Sequence, residues 1–180
     1  MTTTTAAHMT LTPPAMITHS VASIRGQQNA DISVHHARTP DARIAMTFSG
    51  ILMVLYSCGA AQGLLEAFAA ARGHLNHVPV EIPAAPADLN DLSFRSTLSI
   101  EWTRRPNYAA VPQSGLNKLK STRVPWIDLY TGPVTWQIRD QLGLLSSIEL
   151  LSRVHKTAIA VFRDGDQYAA DPTSSDYRAA

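Results

Sequence analysis

The chain has 180 residues, 45% of them hydrophobic and 16% charged, with a formal net charge of +1. That balance describes a globular protein with one core of ordinary size and excludes a disordered chain, which would be richer in charge and poorer in apolar residues. It also excludes recognition of nucleic acid or acidic lipid through a global field, so an electrostatic partner must be met by a local patch.

Residues 1–30 carry Thr, Ala and Pro with no sustained period, and are expected to form a disordered tail. The opening MTTTTAAHMTLTPP lacks the basic and apolar regions of a secretory signal. The lone Cys58 has no internal disulfide partner and suits a reducing compartment, so a cytoplasmic location is expected.

A single α+β domain is expected over 31–165, with halves 31–78 and 95–163 and a loose C-terminal tail over 166–180. Ile32-Ser-Val34 reads as a short strand, followed by a turn at Thr39-Pro40-Asp41 and a second strand over Ile44 to Phe48. Ile51 to Tyr56 is a continuous apolar run, the pattern of a strand covered on both faces. The residues from Ile44 to Leu65 carry no charge and approach the length of a membrane span. Ser49-Gly50, Ser57, Gly59, Gln62 and Gly63 interrupt them, which favours a strand running into a helix.

Ser57 is placed as an N-cap for a helix over about Gly59 to Leu75, with Leu64, Leu65, Phe68 and Leu75 on one side. Pro79, Pro83 and Pro86 mark a linker. In the second half Leu98, Ile100 and Trp102 alternate with polar residues, as do Ile127 and Leu129. Thr131-Gly132-Pro133 turns into Val134, Trp136 and Ile138, which makes a hairpin. Asp140 is a second N-cap, for a helix burying Leu144, Leu145, Ile148, Leu151, Val154 and Ile159 and ending near Phe162.

The two halves align at an offset of about eighty residues, Ser49–Ser57 leading into Leu64–Phe68 against Thr131–Asp140 leading into Ser147–Leu151. Two β-β-α repeats would give an antiparallel sheet with both helices on one face.

Four groups of residues carry candidate chemistry. Cys58 sits at a helix N-terminus, where the dipole lowers a thiol pKa, and is the catalytic candidate. A phosphatase-type loop would need an arginine six positions on, where Leu64 stands. His74 and His77, three apart at the end of the first helix, are metal candidates, with His35 or His36 as a third ligand; no carboxylate or thiol joins them at ligand spacing. Asp164-Gly-Asp166 lacks the later ligands of a calcium loop and reads as a turn. No phosphate loop or hydrolase motif occurs, so neither a cofactor nor an enzymatic activity is expected.

The fourth group is electrostatic. Between Glu101 and Asp128 there is no acidic residue, while Arg104, Arg105, Lys118, Lys120 and Arg123 alternate with Trp102, Tyr108 and Trp126. A basic ribbon with interleaved aromatics can track phosphates and stack bases, which makes these eight residues the nucleic-acid candidates.

The Y-T-G-x-V-T-W hairpin at Tyr130 to Trp136, the H-K-T-A helix end at His155 to Ala158 and the A-D-P-T segment at Ala170 to Thr173 resemble an uncharacterised family of actinobacterial proteins, often belonging to plasmids or mobile elements. The resemblance covers mainly residues 98–178. It implies a cytoplasmic accessory role and carries over no functional residue. The function expected is a non-enzymatic binding protein acting through protein–protein contacts, with homodimerisation through a sheet edge; the alternative is a nucleic-acid-binding accessory factor using residues 102–126.

Overall fold

The computed structural model describes residues 17–48, 50–83 and 98–178. The two expected caps start the two long helices. Ser57 accepts from the Ala60 N–H and opens α1 (Cys58–Ala71), and Asp140 accepts from Gly143 N–H and opens α2 (Gln141–Val161). No β-branched residue interrupts α1, and twelve of its fourteen residues are buried, so it runs through the interior. It tightens into a 3-10 turn over Arg72–His77, short of the expected α-helical end at Leu75. On α2, Leu144, Ile148, Leu151 and Val154 are buried as expected, but Leu145 is exposed and Ile159 only half-buried.

Among the described residues eight strands form two sheets: β1 (Ser20–Ile24), β2 (Ala30–His35), β3 (Arg43–Phe48), β4 (Ile51–Leu55), β5 (Leu98–Trp102), β6 (Tyr108–Leu116), β7 (Arg123–Thr131) and β8 (Val134–Ile138). One sheet has the order β1-β8-β7-β6 and the other β2-β3-β4-β5. Each is an antiparallel three-stranded meander with a fourth strand added in parallel. The α+β class is as expected, while the single antiparallel sheet is replaced by two mixed ones.

The reason lies in where the parallel strands originate. β1 comes from the N-terminal part but pairs with β8, Ser20 opposite Val134 and Ile24 opposite Ile138. β5 comes from the second part but pairs with β4, Leu98 opposite Ile51 and Trp102 opposite Leu55. Ile51 and Val134 are equivalent in the two halves, standing 83 positions apart like the caps Ser57 and Asp140. The repeating unit is therefore β-β-β-β-α rather than β-β-α, and each half gives its first strand to the other half's sheet. The helices cross over as well: α1 packs on β6 and β7, α2 packs on β2 and β3, and the two helices pack on each other. They do not share one face of one sheet.

One hydrophobic core results. Trp136 of β8, fully buried, meets Phe48 of β3 edge-on at 6.2 Å between ring centroids and Phe68 of α1 at 5.7 Å. The uncharged run from Ile44 to Leu65 is divided among β3, β4 and α1. Within it Leu52 and Val54 are only half-buried, so β4 is not covered on both faces as its apolar run suggested. Among the described residues no helix is long and apolar enough to cross a membrane.

Both expected tails are corrected. β1 lies inside the segment read as a disordered tail, because the register with β8 gives its short polar-apolar pattern a partner that the local sequence does not reveal. Residues 166–178 pack back onto α1, starting with a 3-10 turn at Asp166–Tyr168. The Gln62 side chain donates to the Tyr168 and Ala170 carbonyls at 3.2 and 2.9 Å. Residues 1–16, Ser49, Pro86 and residues 179–180 of the expected tails, repeat match and linker lie outside the described residues.

Candidate functional site

The eight residues of the basic, aromatic segment do not form one patch. Trp102 ends β5 inside the core, 6% exposed. Arg104 is exposed on the β5–β6 link. Tyr108 starts β6, whereas Lys118, Lys120 and Arg123 cluster at the far end of the β6–β7 hairpin, where Leu116 pairs with Arg123. Eight residue steps of strand separate the two ends, about 27 Å. Trp126 lies along β7, where its Nε1 donates to Asp128 at 3.0 Å and the Arg139 guanidinium sits 5.4 Å from its ring. Arg123 donates to Ser114 Oγ at 2.8 Å.

Arg105 turns inward instead. Gly63 of α1 makes this approach possible, since a Cβ there would stand 2.5 Å from Arg105 Cγ. Its Nη1 donates to Gln62 Oε1 at 2.7 Å, and its Nη2 to Glu66 Oε2 and, at 3.1 Å, to Tyr177 Oη. Tyr108 Oη donates to Glu66 Oε1 at 3.0 Å, and Tyr177 Oη donates to Glu66 Oε2 at 2.9 Å. One carboxylate, one guanidinium, one amide and two phenols thus saturate one another across α1, β6 and the C-terminal segment.

The electrostatics follow from that saturation. Burial raises the pKa of Tyr108, and its bond to the Glu66 carboxylate adds to the effect. Burial likewise raises the pKa of Tyr177, with the Arg105 bond opposing and Glu66 reinforcing it. Burial alone would lower the pKa of Arg105; the Tyr177 hydroxyl and Glu66 outweigh it, and the net shift is upward. Glu66, Tyr108 and Tyr177 of the cluster line a cleft of about 330 Å³ together with Arg72 and Thr173. The chemistry of the cluster is that of a clamp: every reactive group already holds another. Glu66, Gln62 and Tyr177 were missed in the sequence reading. The available signal was a carboxylate, an amide and a glycine within one turn of an otherwise Ala- and Leu-rich helix.

Cys58 does not meet the conditions for a nucleophile. It is fully buried, and the N-terminus of α1 is filled by Asp164, whose oxygens accept from the Cys58 and Gly59 N–H groups at 3.1 and 3.2 Å. Burial, with the Asp164 carboxylate adding to it, pushes the thiol pKa from 9.0 up to about 12. Asp164 therefore does more than end a helix: it supplies the negative charge that the thiolate was expected to be. An unfolded thiol ionises near 9 and the folded one only near 12, so the stabilisation is fully present below pH 9 and is lost as pH rises toward 12. Thermal melts should show a falling stability limb across that window, flattened in Cys58→Ala. Alkylation of the native protein at neutral pH should be slow and limited by opening of the fold.

The histidines do not assemble. His77 Nε2 lies 2.8 Å from the Gln113 carbonyl, and among the described residues no three His, Cys, Asp or Glu side chains come together to hold a metal. His35 ends β2 and His36 follows in the left-handed region with φ 52°, both exposed.

The exposed end of the β6–β7 hairpin is left. Leu116 is 62% and Leu119 84% exposed, beside Lys118, Lys120 and Arg123. The turn holding them is ordered by Asn117, whose Oδ1 accepts from the Ser121 N–H at 2.9 Å, and by a backbone bond from Asn117 to Thr122. That bond sets the alternation along the hairpin so that Pro112, lacking an N–H, faces the free edge of β6, which discourages strand addition there. No known protein family, curated protein or solved structure matches the chain.

Proposed function

We propose that this chain is a non-enzymatic, cytoplasmic accessory protein that acts through protein–protein contacts made by the tip of the β6–β7 hairpin. The observation that carries the reading is the pair of exposed leucines, Leu116 and Leu119, set among three cations on an ordered turn. Burying a leucine against a partner contributes about 1.5–3 kcal/mol, and charged rims guide encounter more than they add affinity. The partner implied is a protein with an apolar pocket bordered by acidic residues. The absorption of Cys58, Glu66 and Arg105 into structural bonds supports a binding role over catalysis. Pro112 makes the β6 edge a poor dimer seam, so self-association through a sheet edge falls to β1, β2 or β5.

A photo-crosslinking residue placed at Leu119 tests this reading in cells. A nuclease-resistant protein adduct, lost in Lys118→Glu with Lys120→Glu, is expected. A nuclease-sensitive adduct would instead favour the second reading, a nucleic-acid accessory factor. That reading is supported by the three cations at the tip and by Trp126 on the adjoining sheet face. It is limited to few phosphates: with Lys118, Lys120 and Arg123 as the contacts, the slope of log affinity against log salt should be no steeper than about −3. A slope much steeper, or one unchanged when these three are neutralised, would place binding elsewhere.

A further inference from the structure

A cleft of about 450 Å³ lies beside α2, and its walls include Arg72, Leu145, Ile148, Glu149, Arg153 and Lys156. It is the counterpart of the cleft that Glu66 lines. Glu66, Ala69 and Ala70 there stand 83 positions before Glu149, Ser152 and Arg153 here, the offset that also relates the caps Ser57 and Asp140. The two clefts differ in what fills them. On α1 the C-terminal segment lies along the helix, where Gln62 donates to the Ala170 carbonyl and the Tyr177 hydroxyl to Glu66, each at 2.9 Å. On α2 the equivalents of Gln62 and Glu66 are Leu145 and Glu149. Leu145 is 41% exposed, Glu149 is exposed, and no described residue bonds to the Glu149 carboxylate. Arg72, Arg153 and Lys156 are exposed as well, and among the described residues none has a carboxylate within ion-pair distance.

We propose that this cleft docks a short acidic segment of a partner protein, anchored by a tyrosine. The occupant of the α1 cleft shows the chemistry, since it is an irregular segment carrying Asp171, Asp176 and Tyr177. In the α2 cleft the tyrosine hydroxyl donates to Glu149, as Tyr177 does to Glu66, and its ring lies against Leu145 and Ile148. The segment's carboxylates meet Arg153, Lys156 and Arg72. Three cations to one carboxylate leave the wall positive, so acids are favoured on the segment and Glu149 is left for the phenol. Tyrosine is among the side chains that anchor interfaces most strongly. A contact of this extent is smaller than a standard interface, so docking is weak and reversible. The groove stands independently of the hairpin tip and of any partner found there.

The test is a titration of the full-length ¹⁵N-labelled protein with a synthetic peptide that has the sequence of residues 170–177, acetylated and amidated at its ends. The backbone amide signals of Leu145, Glu149 and Arg153 should move saturably, with half-saturation at about 0.1–1 mM. Arg153→Glu with Lys156→Glu, both at exposed side chains, should weaken binding about tenfold or more. Replacing the peptide's tyrosine by alanine should weaken it further than replacing either serine. The peptide with both aspartates changed to lysine should not bind, a comparison that needs no altered protein. Signals that do not move, an affinity unchanged in the double variant, or a lysine peptide that binds as well as the acidic one would each overturn the assignment. Shifts confined to Gln62 and Glu66 would overturn it too, since the peptide would then be replacing the chain's own C-terminal segment on α1.

Discussion

Removing residues 1–25 should leave a chain that does not fold at room temperature, although the local sequence there reads as a dispensable tail. β1 pairs with β8 over five residues and places Ile24, 2% exposed, in the core. The strand is closed at both ends, by Ser20 N–H to Pro133 O and Arg139 N–H to Ile24 O, each 2.8 Å. The loss includes about 2–3 kcal/mol for Ile24 and roughly 1 kcal/mol for each ladder hydrogen bond. Uncovering one side of β8, which carries Trp136 and Ile138, adds to this. Together these reach the total stability of an ordinary domain, about 5–15 kcal/mol. Near-UV circular dichroism checks it, since Trp136 packs against Phe48 and Phe68 only in the assembled core. A truncated chain that keeps the native tryptophan signal would overturn the strand exchange.

Arg105→Ala should destabilise the protein by about 3 kcal/mol, read from urea unfolding. Glu66 is buried, and the substitution leaves its carboxylate with two phenol donors and no counter-charge. Gln62 Oε1 loses its donor in the same step. The paired change Glu66→Leu with Arg105→Met removes both charges and should recover most of the loss, since a buried pair is expensive chiefly when half of it remains. An Arg105→Ala protein as stable as the parent would mean that the tyrosines alone satisfy Glu66.

What the sequence disclosed about this fold was mostly local. Ser57 and Asp140 announced their helices through the short-range chemistry of capping, and the hairpin at Thr131-Gly132-Pro133 through alternation on both sides of a turn. The offset of about eighty residues between the halves was visible for the same reason, since cap, turn and strand lie close together in each. β1 was not visible, because SVASI is short and half polar and its partner lies more than a hundred positions away. β6 was hidden by Pro112, Ser114 and Gly115, residues poor in strand propensity that an edge strand tolerates. The basic segment is a run of charge in the sequence, but charge in sequence does not say which way a side chain turns. Gly63 lets Arg105 turn toward α1, while Arg104 beside it faces water.

Asp140 draws these distant parts together in a single carboxylate. It is wholly buried and accepts from the Gly143 N–H that it caps, from Gly26 N–H just after β1 and from Ile82 N–H. Its bond to Gly26 spans 114 positions of chain. During synthesis, β1 therefore emerges long before the carboxylate and the strand that receive it. At ordinary elongation rates the wait is roughly 6–20 s, far longer than a hairpin takes to close. Through that interval β2, β3 and β4 can form their meander while β1 stays unpaired on the nascent chain, available to another chain's β8. Crowded polysomes then favour exchange between molecules, and slower initiation, which spaces the ribosomes, favours closure within one.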